Sequence, residues 1–507
     1  MAAVYGLEQA VLMFSNKFFL LSLLLVILVL NINIYSQDYL SQTHHDAFRL
    51  SQPGIIYDAR SLSMGNAYSI IGNTYTATLM NPATLGLAKK TTFSSSIDLN
   101  LYYNEVKFLD DSLDSHKTET TISQFGVVYP VPKDSGNNNL VFSLGYNKSN
   151  DFNRIVKFEA FNSSSNTIIN DLTANKSEIT RSLQLSYPVI DTASGELLGD
   201  ATILNGNLNQ KASVLDEGSI NHWSVGFAYE FTHNVFFGAS VNYAIGSYLS
   251  NREYFEIDTK NNYGDSIRTL NDKPLTAGFE EFYLNDVVEW DYNGWDVRFG
   301  FLYKFFNFIG IGGSVKIPIQ YSIIEKHHFS GTSKFSTGLI NELDIPVVET
   351  KYGVTSPFEF TAGAAVNLWI ITVTAEATYI DYTQMKFSGD MEITKQAALN
   401  KDILERYTQI VNLRAGTEFR LPWTGLSARA GFIYNMSPLK DAPTDYDKKY
   451  LTAGLGISSG EGDFEMNLAG MLGWWDIPSE DFGGNIPTIS QSIVEANILV
   501  SFTLRFN

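Results

Sequence analysis

The 507-residue sequence contains no cysteine, which excludes disulfide frameworks and thiolate metal sites outright. It is also short of positive charge. Lys and Arg number 35 against 54 Asp and Glu, a formal charge of -19, so neither nucleic-acid phosphate nor an anionic inner leaflet is the expected partner. No apolar run beyond the first residues is long enough for a helical membrane span, and no H-E-x-x-H signature marks a zinc hydrolase. What the chain has is aromatic weight: 27 Tyr and 34 Phe at a mean hydropathy of -0.06. Much apolar surface without helical spans suits a barrel with an outer face in lipid and a polar inner face.

The first residues read as an export leader. Lys17 precedes the apolar run FFLLSLLLVILVL, which Asn31 ends after about 13 residues, too few for a spanning helix. The leader is assigned to residues 1–36, with Met13 as the expected true start. Residues 37–90 follow as a plug and 91–507 as the wall. Within the plug, Ala59 to Ala88 is neither helix-periodic nor strand-periodic, because Gly65, Gly72, Gly86 and the Asn81-Pro82 step interrupt its short apolar runs.

From Thr91 onward, side chains alternate with period two. Val494, Ala496, Ile498, Val500, Phe502, Leu504 and Phe506 share one face of the last stretch, and Glu495, Asn497, Ser501, Thr503 and Arg505 share the other. The same split recurs around Trp295 to Tyr303, Ile371 to Tyr379 and Val411 to Phe419. A soluble sandwich would also alternate, and the sequence does not say which face looks outward. The tight connections fall near Pro132 to Asn138, Thr232 to Asn234, Phe306 to Asn307, Asn367 to Trp369, Leu421 to Gly425 and Ser459 to Asp463. The intervening ones are long and polar, an asymmetry of outer-membrane barrels. The expected fold is therefore an all-β, transmembrane antiparallel barrel of about fourteen strands with an N-terminal plug in its lumen. Residues 149–218, 251–293, 323–356, 381–408 and 476–491 become outside loops, and Lys395 to Tyr407 carries helical spacing that would lay it across the mouth. Ile179 to Val189 is left out of the wall, since adding it alone would make the strand number odd.

The candidate chemistry is mostly structural. His44-His45 and His327-His328 lack further ligands at a recognisable spacing and read as solvated loop residues; Asp291, Asn293 and Asp296, and Asp441, Asp445 and Asp447, lack a full calcium loop. No metal or cofactor is expected, and no catalytic residue is assigned. The inward-facing charges Asp98, Glu230, Arg298, Lys316, Glu376, Arg414, Glu418, Arg429, Glu465 and Glu495 are mixed in sign. They suit a polar lumen that holds the plug against the wall, with Asp98, Arg298, Glu376, Arg414, Arg429 and Glu465 as its polar network.

The segment Leu62-Ser63-Met64-Gly65-Asn66-Ala67-Tyr68, followed about a dozen residues later by Asn81-Pro82-Ala83, resembles the N-terminal hatch of the FadL family of outer-membrane transporters. Arg429 to Tyr434 with Ser437-Pro438 and Leu451 to Gly456 is similar to that family's late hairpin, and Ala375 to Tyr382 to its acidic-aromatic strand. The resemblance implies a fourteen-stranded barrel in the outer membrane of a Gram-negative bacterium. It also implies passive uptake of long-chain fatty acids or other hydrophobic molecules, with lateral exit once the hatch rearranges. Met64, Gly65, Ala67, Tyr68, Asn81, Pro82 and Ala83 would then be the gating residues. The expected partners are a hydrophobic small molecule, outer-membrane lipid and, during biogenesis, the barrel-assembly machinery; the chain would be a monomer. A rival reading keeps the fold and makes it a scaffold or shuttle for surface proteins. Transport needs an apolar pocket near the hatch and a wall gap near Leu140 to Asn147; a scaffold needs a sealed wall.

Overall fold

Alternation in the sequence becomes the two faces of one closed sheet. The computed structural model describes residues 42–55, 57–132, 140–191, 193–264, 278–306, 308–460, 462–480 and 486–506. The leader and the expected start at Met13 lie outside them, as does most of the connection from Pro132 to Asn138. The strands are β1 (Thr91–Phe108), β2 (Asp111–Pro130), β3 (Leu140–Asp151), β4 (Arg154–Asn162), β5 (Tyr187–Ile190), β6 (Leu197–Ala201), β7 (Leu208–Thr232), β8 (Val235–Ile257), β9 (Phe279–Phe305) and β10 (Ile309–Lys316). They continue as β11 (Gln320–Phe335), β12 (Ile340–Thr355), β13 (Glu359–Leu368), β14 (Ile371–Asp381), β15 (Lys386–Gly389), β16 (Gln409–Arg420), β17 (Leu426–Asn435), β18 (Lys448–Ser458), β19 (Phe464–Glu480) and β20 (Ile489–Phe506).

Three staves of the wall are each made of two consecutive strands: β3 with β4, β10 with β11, and β12 with β13. Pro318 and Pro357 stand in the last two interruptions, where a missing N–H cannot serve the ladder. With β1, β2, β7, β8, β9, β14, β16, β17, β18, β19 and β20 this makes fourteen antiparallel staves, and β20 closes on β1 from Thr91↔Phe506 to Lys107↔Ser490.

The exposures decide which face meets lipid. Ile498 is 46% exposed and Trp295 61%, whereas Asn497 and Ser501 are 1% and 2%. Apolar side chains therefore cover the outside, and polar ones line the lumen, as the sequence pattern required of a membrane wall. The connections Thr232 to Val235, Leu368 to Ile371 and Leu421 to Leu426 are short, with Asn234, Trp369 and Trp423 in the left-handed region.

Beyond the belt the strands run further than their sequence suggests. The 104–120 stretch is a continuation of β1 and β2 into a hairpin turned at Leu109 and Asp110, and 323–356 is largely β11 and β12. In 251–293, β8 and β9 likewise extend the sheet outward. Polar and apolar residues alternate there without a lipid face to flag them, so they read as loop. The 149–218 stretch holds β4, helices α4 (Ile168–Asn175) and α5 (Ser177–Ser182), and a hairpin of β5 and β6 separate from the wall. Helix α6 (Ile393–Arg406) forms where helical spacing was read, burying Leu399 and Ile403. Inside the barrel lie α1 (His44–Ser51), α2 (Ala59–Ser63), α3 (Thr76–Met80) and a 3-10 turn over Pro82–Leu87.

Candidate functional site

The plug is built around two polar anchors. Asp58 caps α2: its Oδ1 accepts from the Ser61 amide at 2.7 Å, and its Oδ2 accepts from Thr74 at 3.3 Å and from Thr76 of α3. One carboxylate thus ties two short helices that would be unstable alone. Asn81 is the second anchor. Its Nδ2 donates to the carbonyl oxygens of Ser69 (2.8 Å) and of Phe301 in the wall (3.1 Å), and its Oδ1 accepts from the Ala83 amide at 3.2 Å. Pro82 then opens the 3-10 turn, where its missing N–H costs nothing.

Contact with the wall is made at paired glycines. Gly416 and Gly431 are cross-strand partners, and a Cβ on either would run into the Met64 to Gly65 peptide. Gly238 and Gly300 are partners likewise, facing Asn81, Pro82 and Ala83; Gly126 and Gly145 receive the ring of Tyr75; Gly312 and Gly363 receive Ile70. Gly65 itself has φ +61, and its amide donates to Thr452 Oγ1 at 3.1 Å. Four arcs of the wall are therefore bare of side chains where the plug's backbone or rings press on them.

Charges complete the attachment. Glu418 accepts from Arg60 of the plug at 3.2 Å and from Arg429 and Arg420 of the wall, each at 2.6 Å. Arg429 also reaches Asn467 (2.7 Å) and Glu465 (3.7 Å), which pairs with Arg505 at 2.8 Å. Elsewhere Arg298 and Lys316 share Glu359 at 3.3 and 2.8 Å, while Arg298 and Ser314 both donate to the Met80 carbonyl. Glu376 accepts from the Ser69 amide at 2.5 Å.

Above the plug the lumen is greasy. Leu50 and Ala47 of α1 are buried among Ile220, Tyr248, Trp290, Tyr321, Tyr382, Ile403 and Tyr407, and Phe48 packs at 5.4 Å from Tyr382. Arg49 survives there by pairing with Asp46 at 2.7 Å and lying 4.3 Å above the Tyr248 ring. Between this chamber and the plug sits a polar-lined cavity of about 60 Å³, bounded by Leu50, Gly54, Met80, Asn147, Ser149 and Arg414 among others.

At Asn147 and Ser149 the wall changes. The β2–β3 ladder is intact from Pro130↔Val141 to Gln124↔Asn147, so no gap lies over Leu140 to Asn147. Further out, among the described residues, β3 and β4 pair only with β7, and β2 has lost its partner on that side. The register slips between Lys148 and Asn150, and that bulge turns the strand off its neighbour. Side chains bridge the break: Glu119 of β2 accepts from Lys148 at 3.1 Å and from Asn153. On the lipid side just below, Phe125, Tyr146 and Trp223 form an aromatic trio with centroids 5.2 to 5.7 Å apart.

No family profile and no curated protein matches this sequence. Solved structures do. The Pseudomonas putida toluene transporter TodX superposes with a TM-score of 0.52 at 17% identity, covering 89% of this chain and 99% of that one. A Pseudomonas aeruginosa FadL homologue gives 0.54 at 10% identity, covering 90% and 100%. The fold is that of the FadL-type barrels.

Within that FadL-type fold the expected residues fall in distinct places. Met64 and Gly65 face β16 to β18, Ala67 is buried, Tyr68 packs in the cluster of Tyr57, Tyr75 and Val128 beneath Arg60, and Asn81, Pro82 and Ala83 face β8 and β9, a separate arc of the wall. The six expected network residues form several groups. Arg429 and Glu465 belong to the Glu418 cluster, Arg298 to the Glu359 cluster, Asp98 accepts from Asn497 at 3.1 Å, Glu376 turns to the plug, and Arg414, its cross-strand neighbour, lines the internal cavity. Arg60 and Glu359 were missed; Glu359 sits on the polar face of β13, so alternation alone would have found it. Asp291 and Asn293 point outward and Asp296 inward, so they do not converge. The histidines differ from solvated loop residues in two cases: His44 bonds Tyr407 at 3.1 Å, and β11 turns His327 inward onto Asp286 at 2.5 Å while leaving His328 outside.

Proposed function

We propose that the protein is a passive transporter of hydrophobic molecules, long-chain fatty acids among them, in the outer membrane of a Gram-negative bacterium. Ligand enters the apolar chamber from the mouth, displaces α1 with its Phe48 and Leu50 from Tyr382 and the surrounding wall, and leaves sideways between β2 and β3. The observation that carries this reading is the continuity of the internal cavity with Asn147 and Ser149, the point where the β2–β3 ladder stops. Lateral exit keeps an apolar ligand out of water for the whole crossing, which avoids the cost of hydrating it. The aromatic trio of Phe125, Tyr146 and Trp223 offers a landing surface on the lipid side. The FadL-type neighbour TodX, described as a toluene transporter and as a monoaromatic hydrocarbon channel, supports the ligand class. The chain acts as a monomer, with no catalytic step, after export by its leader and insertion by the barrel-assembly machinery.

The absence of native cysteine makes the test clean. Glu119→Cys with Asn153→Cys places two thiols across the break. Oxidative cross-linking should leave binding of a fluorescent fatty acid intact and stop its passage into lipid, with recovery on reduction. Unchanged passage through the cross-linked barrel overturns lateral exit. Absence of binding, with and without residues 41–88, overturns transport and leaves the scaffold reading.

A further inference from the structure

Five outward-facing aromatics stand side by side on consecutive staves of the wall. Phe125 of β2, Tyr146 of β3, Trp223 of β7, Tyr243 of β8 and Trp295 of β9 are partners in register, with Tyr243 and Trp295 4.5 Å apart. A row of this kind marks the edge of the hydrocarbon. Further out on the same face, Ser247, Asp291 and Ile324 share the second row beyond it, and Glu217, Leu249, Glu289 and Lys326 share the third. Ile324 is 37% exposed where Ile323 and Glu325 beside it are buried, so these rows look away from the lumen. They line a cavity of about 310 Å³, entered by Gly218 at φ +128, a conformation that glycine takes readily.

Height and charge select what fits there. The two rows lie four to six residues beyond the aromatics, which at about 3.3 Å per residue and a tilt of roughly 40° sets the cavity about 10–15 Å further out. The polar layer of a phospholipid leaflet is only about 5–8 Å deep, so a phospholipid head falls short and a head of linked sugar rings reaches. Of the charges, Glu217 is taken by Lys117 of β2 at 2.6 Å. Lys326 lies in register between Glu289 and Glu349 and closes an ion pair with neither among the described residues, while Glu349 goes to Lys351 at 3.3 Å. One available ammonium beside two carboxylates, a hydroxyl and two aliphatic side chains matches a phosphorylated saccharide. Lys326 would donate to phosphate, Glu289 and Asp291 would accept from ring hydroxyls, and Leu249 and Ile324 would lie against the C–H face of a ring. We propose that this cavity binds the phosphorylated sugar head of an outer-leaflet glycolipid, with the acyl chains lying on the aromatic row and the apolar belt below it. The proposal takes from the reading above only that the wall stands in an outer membrane.

The test titrates the intact barrel in non-ionic detergent with fluorescently labelled rough lipopolysaccharide, its dephosphorylated form, its deacylated saccharide and labelled phosphatidylethanolamine. The wild type should hold the phosphorylated glycolipid most tightly of the four. Lys326→Gln should weaken it about three- to tenfold and leave the dephosphorylated form unchanged, and Glu289→Gln with Asp291→Asn should weaken both forms. These side chains are exposed, so the variants should keep the heat-modifiable barrel on an unboiled gel. Phosphatidylethanolamine held as tightly as the glycolipid overturns the proposal, and so does a Lys326→Gln variant that loses both forms alike or neither. Equal affinity for the deacylated saccharide overturns the membrane source of the ligand. Failure here leaves the transport reading standing, because these residues lie outside the lumen and fatty-acid passage should stay at the wild-type level in every variant.

Discussion

Gly416 and Gly431 face each other across β16 and β17, and the plug's Met64 to Gly65 peptide occupies the space their side chains would fill. A Cβ at Gly431 would fall inside the Gly65 amide and one at Gly416 inside the Met64 carbonyl, both backbone atoms that cannot rotate away. Gly431→Val should therefore unseat the plug at a cost of about 1–3 kcal/mol, the range for overpacking. The barrel should still resist denaturation on an unboiled gel, while protease cuts within 58–88 appear. Unchanged protection of that segment would show that the plug's fit at this pair is loose.

Among the described residues Glu418 carries the most ion pairs of the lumen carboxylates, serving Arg60, Arg420 and Arg429 from a buried position. Removing one member of a buried ionic cluster leaves uncompensated charge, a loss on the order of 3–5 kcal/mol. Glu418→Gln should lower the urea midpoint of the barrel accordingly. The double change Glu418→Gln with Arg60→Met should recover part of that loss, since it removes one of the stranded cations. A double variant as unstable as the sum of both single changes would mean that Arg60 and Glu418 do not interact energetically.

How much of this was legible in the sequence follows from what each feature depends on. The wall was readable because lipid on one side and a packed lumen on the other impose strict alternation, as around Asn497 and Ile498. The outward extension of β8, β9, β11 and β12 was not, since no lipid face marks those residues. The plug's position was readable from Asn81-Pro82-Ala83, but its attachment was not. Paired glycines such as Gly238 and Gly300 are far apart in sequence and meet only through register. Nor could alternation foresee that Arg414 and Glu376, opposite in charge and in register, would be separated by a backbone amide from a third segment.

Asn81 and Pro82 lie side by side and should differ in weight. Asn81 donates to two carbonyls, one on the plug and one on the wall, and accepts from Ala83, whereas Pro82 contributes a preset φ. Asn81→Ala leaves the buried carbonyl of Ser69 without this donor and should cost about 1–3 kcal/mol. Pro82→Ala restores chain entropy to the unfolded state and should cost only about 0.4–1 kcal/mol. Thermal melting of the refolded barrel in detergent checks the order; equal losses would mean that the Asn81 hydrogen bonds contribute nothing beyond the turn.

The outside lobe should respond to pH through Glu256, which lies on β8 well beyond the apolar belt. Its carboxylate is fully buried and accepts from the Ile168 amide, the Gln210 amide and the Tyr254 hydroxyl, each at 2.9 Å, so it fastens the start of α4 to the sheet. Burial outweighs these donors and pushes the Glu256 carboxyl above its ordinary value of 4.5. A raised carboxyl binds its proton more tightly in the folded lobe than in the unfolded one. The resulting stability is complete below 4.5 and is lost as pH rises through the folded-state value. Amide exchange across 168–175, corrected for the intrinsic rate, should show stronger protection at about pH 5 than at about pH 8. Glu256→Gln cannot ionise and should flatten that difference, leaving protection at neutral pH at least as high as in the wild type. A slope that persists in Glu256→Gln would assign the pH response to another group.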